Sequence, residues 1–438
     1  MKTKEKDIVS VITLGCSKNL VDSENIVTQL RANKVVADHT DNGSSSIVII
    51  NTCGFIEAAK QESIDTILDY AGRKKQGEVK KLYVTGCLSQ RYKADLEKEI
   101  PEVDAFFGTM ELPALLHRLK ADYKHELIGE RLTMTPPHYA YLKISEGCNR
   151  TCGFCAIPLM RGKHVSKPIE KLVSEAWHLA SQGVKELILI AQELTYYGLD
   201  LYKVRRLDTL LQRLCEVEGI EWIRLHYAYP SKFPMEIFEV MSAQEKICNY
   251  LDMPLQHAND RILKSMKRQI TNKETRELIA VARSSVPNLA LRTTMLVGFP
   301  GESESEFQEL CKFVQATKFD RLGVFTYSHE EGTAAYTLKD DVAAAEKERR
   351  ASSLMEIQRS ISLSKNETLI GQDMKVLIDR REGPFYYGRT EFDSPEVDNE
   401  IIISANTYLR IGDFVNAKVT DATEYDLHAT ALVDETTS

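Results

Sequence analysis

No run of apolar residues in the 438-residue chain approaches the roughly 18 to 20 needed to cross a bilayer, so a membrane-spanning helix is not expected. An apolar export core is missing too. Residues 1–7 are mostly charged and lead into a strand-like stretch, and the chain reads as cytoplasmic. Nor is there an excess of positive charge: 56 Lys and Arg face 64 Asp and Glu, a net of −8, which argues against strong nucleic-acid binding. Nine Cys, an odd number without an export signal, do not suit a disulfide framework and point to metal or redox chemistry. A second close pair of Cys, which a structural zinc site would want beside the first, is also absent.

The chain does contain a triad, Cys148-Asn149-Arg150-Thr151-Cys152-Gly153-Phe154-Cys155, just after a strand-like run at residues 139–145. Iron-sulfur clusters are held by Cys thiolates, normally one per iron, so a three-Cys loop suggests a four-iron cluster with one iron left for a ligand that is not protein. The spacing Cys-x3-Cys-x2-Cys, with an aromatic before the last Cys, resembles the signature of the radical S-adenosylmethionine enzymes. The plain alternative is a loop of buried thiols or a zinc knuckle.

At 43% apolar content the chain has material for two or three domains. Residues 7 to about 120 alternate strand (8–14, 47–51, 82–85) and helix (from 22, from 57, to 96), the pattern of a doubly wound parallel sheet. Ligands gather beyond the carboxyl ends of such strands. Cys16, Cys53 and Cys87 each sit at such an end, each beside a Gly, and read as a second cluster triad, with core packing as the alternative. Arg73-Lys74-Lys75 reads as a solvated loop, and residues 121–138, polar and aperiodic with Pro136-Pro137, as a linker.

Six strand-then-helix units follow, with strands at 139–145, 186–191, 222–227, 247–253, 289–297 and 321–325 and helices such as 167–181, 207–217, 272–283 and 303–316. Six units rather than eight imply an incomplete (β/α) barrel, whose active site lies at the carboxyl ends of its strands, where residues 148–155 fall. Glu193, in Ala191-Gln192-Glu193, ends the second strand. Gly298-Phe299-Pro300-Gly301-Glu302 follows the fifth, and a turn explains it equally well. Asp252 and Gln256-His257 end the fourth, where a lone His is a rim residue before it is a base. Cys215, Cys248 and Cys311 read as core.

A long charged helix is expected at 341–368, and short strands at 374–379, 386–389, 400–404, 414–420 and 427–433 suggest a small antiparallel barrel of the oligonucleotide-binding type. Residues 366–438 hold 15 Asp or Glu against 6 Lys or Arg, a net of −9 that leaves +1 on the rest. Such a surface would repel RNA and attract a basic protein. Two patches stand out: Glu391, Asp393, Glu396, Asp398 and Glu400; and Asp421, Glu424 and Asp426.

With both triads and the acidic barrel in view, the chain resembles the methylthiotransferases end to end. Residues 13–24 (TLGCSKNLVDSE) and 157–166 (IPLMRGKHVS) resemble the branch that modifies small-subunit ribosomal protein twelve, the RimO family. The resemblance implies a cluster domain at 7–121, a radical barrel at 134–365 and a substrate-docking TRAM barrel at 367–434. It implies two [4Fe-4S] clusters, on Cys16, Cys53, Cys87 and on Cys148, Cys152, Cys155, and S-adenosyl-L-methionine held at Glu193, Gly298 and Glu302. It further implies a methylthio group added to the β-carbon of a ribosomal-protein aspartate, and an electron donor such as flavodoxin or ferredoxin. A tRNA adenosine methylthiotransferase and a noncatalytic iron-sulfur or RNA-binding scaffold are the alternatives.

Overall fold

The structure, a computed structural model, describes residues 7–40, 45–127 and 129–432. The N-terminal sheet contains β1 (Ile8–Thr13), β2 (Val36–Asp38), β3 (Ile47–Thr52), β4 (Lys81–Gly86) and β5 (Ala105–Phe106), all parallel, in the order β2-β1-β3-β4-β5. Helices Ser17–Ala32, Glu57–Lys75 and Cys87–Glu99 connect the strands. Val9, Val11, Val48, Ile49, Ile50, Leu82 and Val84 are fully buried, each contributing about 1.5–3 kcal/mol against exposure. This is the expected doubly wound sheet. The first helix begins at Ser17 rather than Asp22, because Cys16 already occupies its N-cap. Arg73-Lys74-Lys75 closes the second helix instead of forming a loop, with Lys74 and Lys75 paired to Asp104 and Glu102.

The central sheet contains β6 (Tyr139–Lys143), β9 (Glu186–Ile190), β10 (Trp222–Leu225), β11 (Ile247–Asp252), β12 (Ala290–Val297) and β13 (Arg321–Thr326). These six parallel strands run β13-β12-β11-β10-β9-β6. Its outer face carries the largest core, where Leu187, Leu189, Ile223, Leu251 and Leu291 meet Leu172, Leu210, Phe238, Leu278 and Phe313. Two of its helices start on capping boxes, Thr271 with Glu274 and Ser303 with Glu306. A small antiparallel pair, β7 (Ser145–Glu146) with β8 (Val165–Ser166), staples the two ends of the Cys148 loop.

The expected linker is pinned. Arg131, 1% exposed, pairs with Glu24 of the first N-terminal helix and with Glu175 of helix Ile169–Ser181. Aperiodic polar sequence suggested a free connection; here two buried carboxylates hold it. The charged helix Ala344–Glu367 buries a narrow stripe, Lys347, Arg350, Leu354, Gln358, Ser362 and Asn366.

The C-terminal strands β14 (Asp373–Glu382), β15 (Phe385–Arg389), β16 (Ile401–Ser404), β17 (Phe414–Ala422) and β18 (Leu427–Ala431) close into a barrel in the order β14-β15-β16-β18-β17. Four neighbouring pairs are antiparallel and β16–β18 is parallel. An odd number of strands cannot close with antiparallel neighbours alone.

The acidic patches require a correction. Asp393 pairs with Arg321 at 2.5 Å and Asp398 with Arg292 at 3.2 Å, both carboxylates buried, while Glu391 accepts the Asn249 backbone N–H. Glu400 pairs with Arg380, and Glu424 with Arg359 of the long helix. Asp426 accepts the Glu400 N–H, while Glu396 and Asp421 are exposed. Asp393 and Asp398 therefore face the cations of the central sheet across a buried interface. Summed charge cannot distinguish such an interface from a surface. Glu186, Arg224 and Arg389, all at most 1% exposed, lie at its centre beside Asp379 and His138.

Candidate metal centres

Cys16 lies three residues beyond β1, and Cys53 and Cys87 directly follow β3 and β4, three adjacent strands. The three thiols thus line one carboxyl edge. Gly15, at φ +89°, lets the Cys16 turn press onto Cys53, since a Cβ there would fall 2.6 Å from Cys53 Cβ. Asn19 donates to the Leu14 and Thr52 carbonyls, and Asn51 to the Asn19 carbonyl and Ser23 Oγ, so two amides knit the Cys16 and Cys53 loops. Cys16 is exposed; Cys53 and Cys87 are buried. Burial raises the Cys53 thiol and pushes that of Cys87 to about 12.

The second triad sits between β7 and helix Ile157–Arg161. The Cys148 N–H donates to the Gly162 carbonyl and the Gly153 N–H to the Met266 carbonyl, so the loop is tied at both ends and its middle. Donors point at its sulfurs: the Arg150 backbone N–H to Cys148 Sγ at 3.3 Å and Arg268 Nη1 to Cys152 Sγ at 3.4 Å. Burial pushes Cys148 to about 11 and Cys155 to about 12. The Arg150 guanidinium is sandwiched between the rings of Tyr196 and Tyr229, at 3.8 and 3.9 Å.

One residue ties the chain just beyond the second triad to the first. Arg161, six positions after Cys155, donates from Nε to Cys87 Sγ at 3.2 Å, from Nη2 to Asn19 Oδ1, and from Nη1 to Asp22 at 2.6 Å and Glu146 at 3.3 Å. Lys143 lies between the same two carboxylates and Gln192 donates to Glu146. Against burial, which would raise it, Lys143 and Arg161 hold the Glu146 carboxyl down at about 2.

Among the described residues no group of three His, Cys, Asp or Glu converges closely enough for a single metal ion. The sulfur-directed N–H donors and nearby guanidiniums fit thiolates on a cluster, because a coordinating thiol is deprotonated outright.

The residues expected at the cofactor are less free. Glu193, 1% exposed, accepts from the Thr195 N–H and Oγ1 at 2.6 Å each and from Arg150 Nε at 3.1 Å, so it braces the Cys loop. Glu302, 3% exposed, takes the Gly298 and Phe299 N–H groups and Arg350, so it folds its own loop. Gly298, at φ +73°, packs where a Cβ would lie 2.3 Å from Lys347 Cγ. His257 accepts the Asn259 N–H at Nδ1, and burial drives it to about 3, a neutral rim residue as expected. Burial and the charges of Arg292, Arg224 and Lys18 hold His226 well below its ordinary range. Sequence reading missed Arg161, Arg150, Asn19 and Lys18, for which a cation or amide close to a Cys motif was the available signal, and Arg268, which lies 116 positions from Cys152 and carried none.

Residues 8–108 match Uncharacterized protein family UPF0004, residues 142–314 the Radical SAM superfamily and residues 370–432 the TRAM domain. A protein of Cytophaga hutchinsonii named ribosomal protein uS12 methylthiotransferase RimO is 59% identical over 428 residues, 97% of this chain and 98% of that one. One of the same name from Bacteroides thetaiotaomicron is 52% identical over 435 residues, 99% of each. Among solved structures, the radical S-adenosylmethionine methyltransferase TsrM from Kitasatospora setae aligns with a TM-score of 0.55 over 72% of each chain at 12% identity, a likeness of fold alone. The radical SAM assignment implies a [4Fe-4S] cluster and S-adenosylmethionine, which the Cys148, Cys152, Cys155 donor set fits. With relatives this similar along nearly its whole length, the chain belongs to the RimO family of ribosomal protein uS12 methylthiotransferases.

Proposed function

We propose that this enzyme adds a methylthio group to the β-carbon of an aspartate of ribosomal protein uS12, with residues 7–121, 134–365 and 367–434 as its working units. The observation that carries the reading is the pair of Cys triads at strand carboxyl ends, with Arg161, six residues beyond Cys155, donating to Cys87 Sγ of the other triad. When bound, a [4Fe-4S] cluster on Cys148, Cys152 and Cys155 supplies the electron that cleaves S-adenosylmethionine, and a second on Cys16, Cys53 and Cys87 holds the sulfur to be transferred.

The chain's own residues position and shield. Arg150, Arg268 and Arg161 offset thiolate charge, and hydrogen bonds to cluster sulfurs tune reduction potential. Glu193 fixes Arg150 and with it the Cys148 loop, while the Gly298 turn, held by Glu302, lines the cofactor side of the strand ends. Exposed Cys16 leaves that triad approachable by a macromolecule. The acids outside the buried interface, Glu396 and Asp421 among them, remain for a basic protein to meet. A soluble one-electron donor such as flavodoxin or ferredoxin would reduce the radical cluster. A tRNA adenosine is the second reading, favoured only because the burial of Asp393 and Asp398 removes part of the charge that would repel RNA.

Separating the two functions tests the proposal. Replacing Cys148, Cys152 and Cys155 with Ala should halve an iron content of about eight per chain and abolish S-adenosylmethionine cleavage. Replacing Cys16, Cys53 and Cys87 should halve the iron, keep cleavage and yield no methylthiolated uS12. Product from the second variant would refute the sulfur-holding role.

A further inference from the structure

Lys18 stands out among the cations of the interior. It is 7% exposed, two residues from Cys16, in the first turn of helix Ser17–Ala32 where that helix meets the inner face of the central sheet. Its neighbours there are accounted for: Lys143 has Asp22 and Glu146, Arg161 has Asp22, Arg224 has Glu186, and Arg292 has Asp252 and Asp398. Lys18 Nζ instead sits 3.1 Å from the centroid of the Tyr227 ring, and among the described residues it has no hydrogen-bond or ion-pair partner. A buried ammonium without an anion is costly, and a ring face offsets only part of its lost hydration. Tyr227 itself, at φ +65°, turns at the carboxyl end of β10 with its N–H on Asp252. The cation therefore lies at the strand ends, on the side of the central sheet where the Cys16 edge of the N-terminal domain is docked.

We propose that Lys18 is the counter-charge for the substrate aspartate, its ammonium taking the side-chain carboxylate of the residue to be modified. The inference rests on the uS12 reading and deepens it. A carboxylate one bond from the reacting carbon, paired with Lys18, would supply the missing anion and fix that carbon beside the Cys16 triad. It would also reject neutral side chains, because Asn would leave the ammonium buried and unpaired. This is a specificity role, and the reacting centre stays on the cofactors.

The test is equilibrium binding of the anaerobic, cluster-loaded enzyme to uS12 and to uS12 whose modified aspartate is replaced by Asn. Wild-type enzyme should prefer the aspartate form by roughly 30-fold or more, the range for losing one partner of a buried charge pair. Lys18→Met keeps the aliphatic stem but should bind both forms alike, and Lys18→Arg should keep the preference. Iron content and melting temperature establish that each variant is folded; if Lys18→Met is not, Lys18→Gln makes the same comparison. Equal weakening toward both substrates would mark Lys18 as a packing residue and overturn the proposal, as would an undiminished preference in Lys18→Met. Failure of the parent reading shows separately, as wild-type enzyme that leaves uS12 unmodified.

Discussion

Replacing Arg389 with Met removes the central cation from the interface between the C-terminal barrel and the radical barrel. Its guanidinium donates to Asp379 at 2.6 and 3.0 Å and lies 2.7 Å from Glu186 Oε2, an ion pair rather than an aligned hydrogen bond. Breaking a buried pair from one side typically costs about 3–5 kcal/mol, because a charge is left uncompensated. Here Glu186 keeps Arg224 and Asp379 keeps His138, so the lower end, about 3 kcal/mol, is expected. With a urea slope at or above about 3 kcal/mol per molar for a chain of this size, the midpoint should fall by up to about 1 M. Tryptophan fluorescence reads this interface directly. Of the two tryptophans, Trp222 is 4% exposed and meets Phe414 of the C-terminal barrel edge-on at 4.7 Å, whereas Trp177 is 45% exposed. Substituting exposed Arg410 should move the midpoint by no more than about 0.5 kcal/mol equivalent. An Arg389→Met midpoint matching that control would refute the buried interface and return the acids to the surface.

Gly298→Ala should lower the melting temperature, since a left-handed backbone costs a non-glycine residue about 1–2 kcal/mol and the new Cβ would collide with Lys347; an unchanged melt contradicts the packing. Arg161→Gln should shift the reduction potential of the second cluster proposed at Cys16, Cys53 and Cys87 downward, because a charged donor to Cys87 Sγ is weakened; an electron paramagnetic resonance redox titration showing no shift would remove Arg161 from that role. His257 is neutral when folded, at about 3 against its ordinary 6.5, so its contribution is present above pH 6.5 and is lost as the pH falls toward 3. The slope is up to about 1.4 kcal/mol per pH unit, and urea midpoints at about pH 7 and about pH 5 should converge in His257→Gln relative to wild type.

Local signals carried the reading of the chain a long way. Cys16, Cys53 and Cys87 were legible because each follows an apolar strand and neighbours a Gly, and parallel order then aligns them. Helices Asn272–Ser285 and Glu304–Thr317 were legible from their amphipathic period, a signal that repeats within four residues. What stayed hidden depends on distant pairing. Arg131 finds Glu24 107 positions away, and Asp393 finds Arg321 72 positions away. No periodicity marks such pairs, so the first looked like linker and the second like surface. Lys18 lay in plain view beside Cys16, yet only the docking of the N-terminal helix on the central sheet sets its ammonium over the Tyr227 ring. Glu193 and Glu302 lie at the strand ends where they were expected, but their carboxylates brace those loops, a role that strand-end position does not specify.

The measurement that bears most directly on the central claim is mass spectrometry after anaerobic incubation of the reconstituted enzyme with S-adenosylmethionine, a reductant and either uS12 or tRNA. The account predicts that uS12 alone gains mass, by one methylthio group in place of one hydrogen, at an aspartate. Methylthiolated adenosine in the tRNA, with uS12 unchanged, would contradict it.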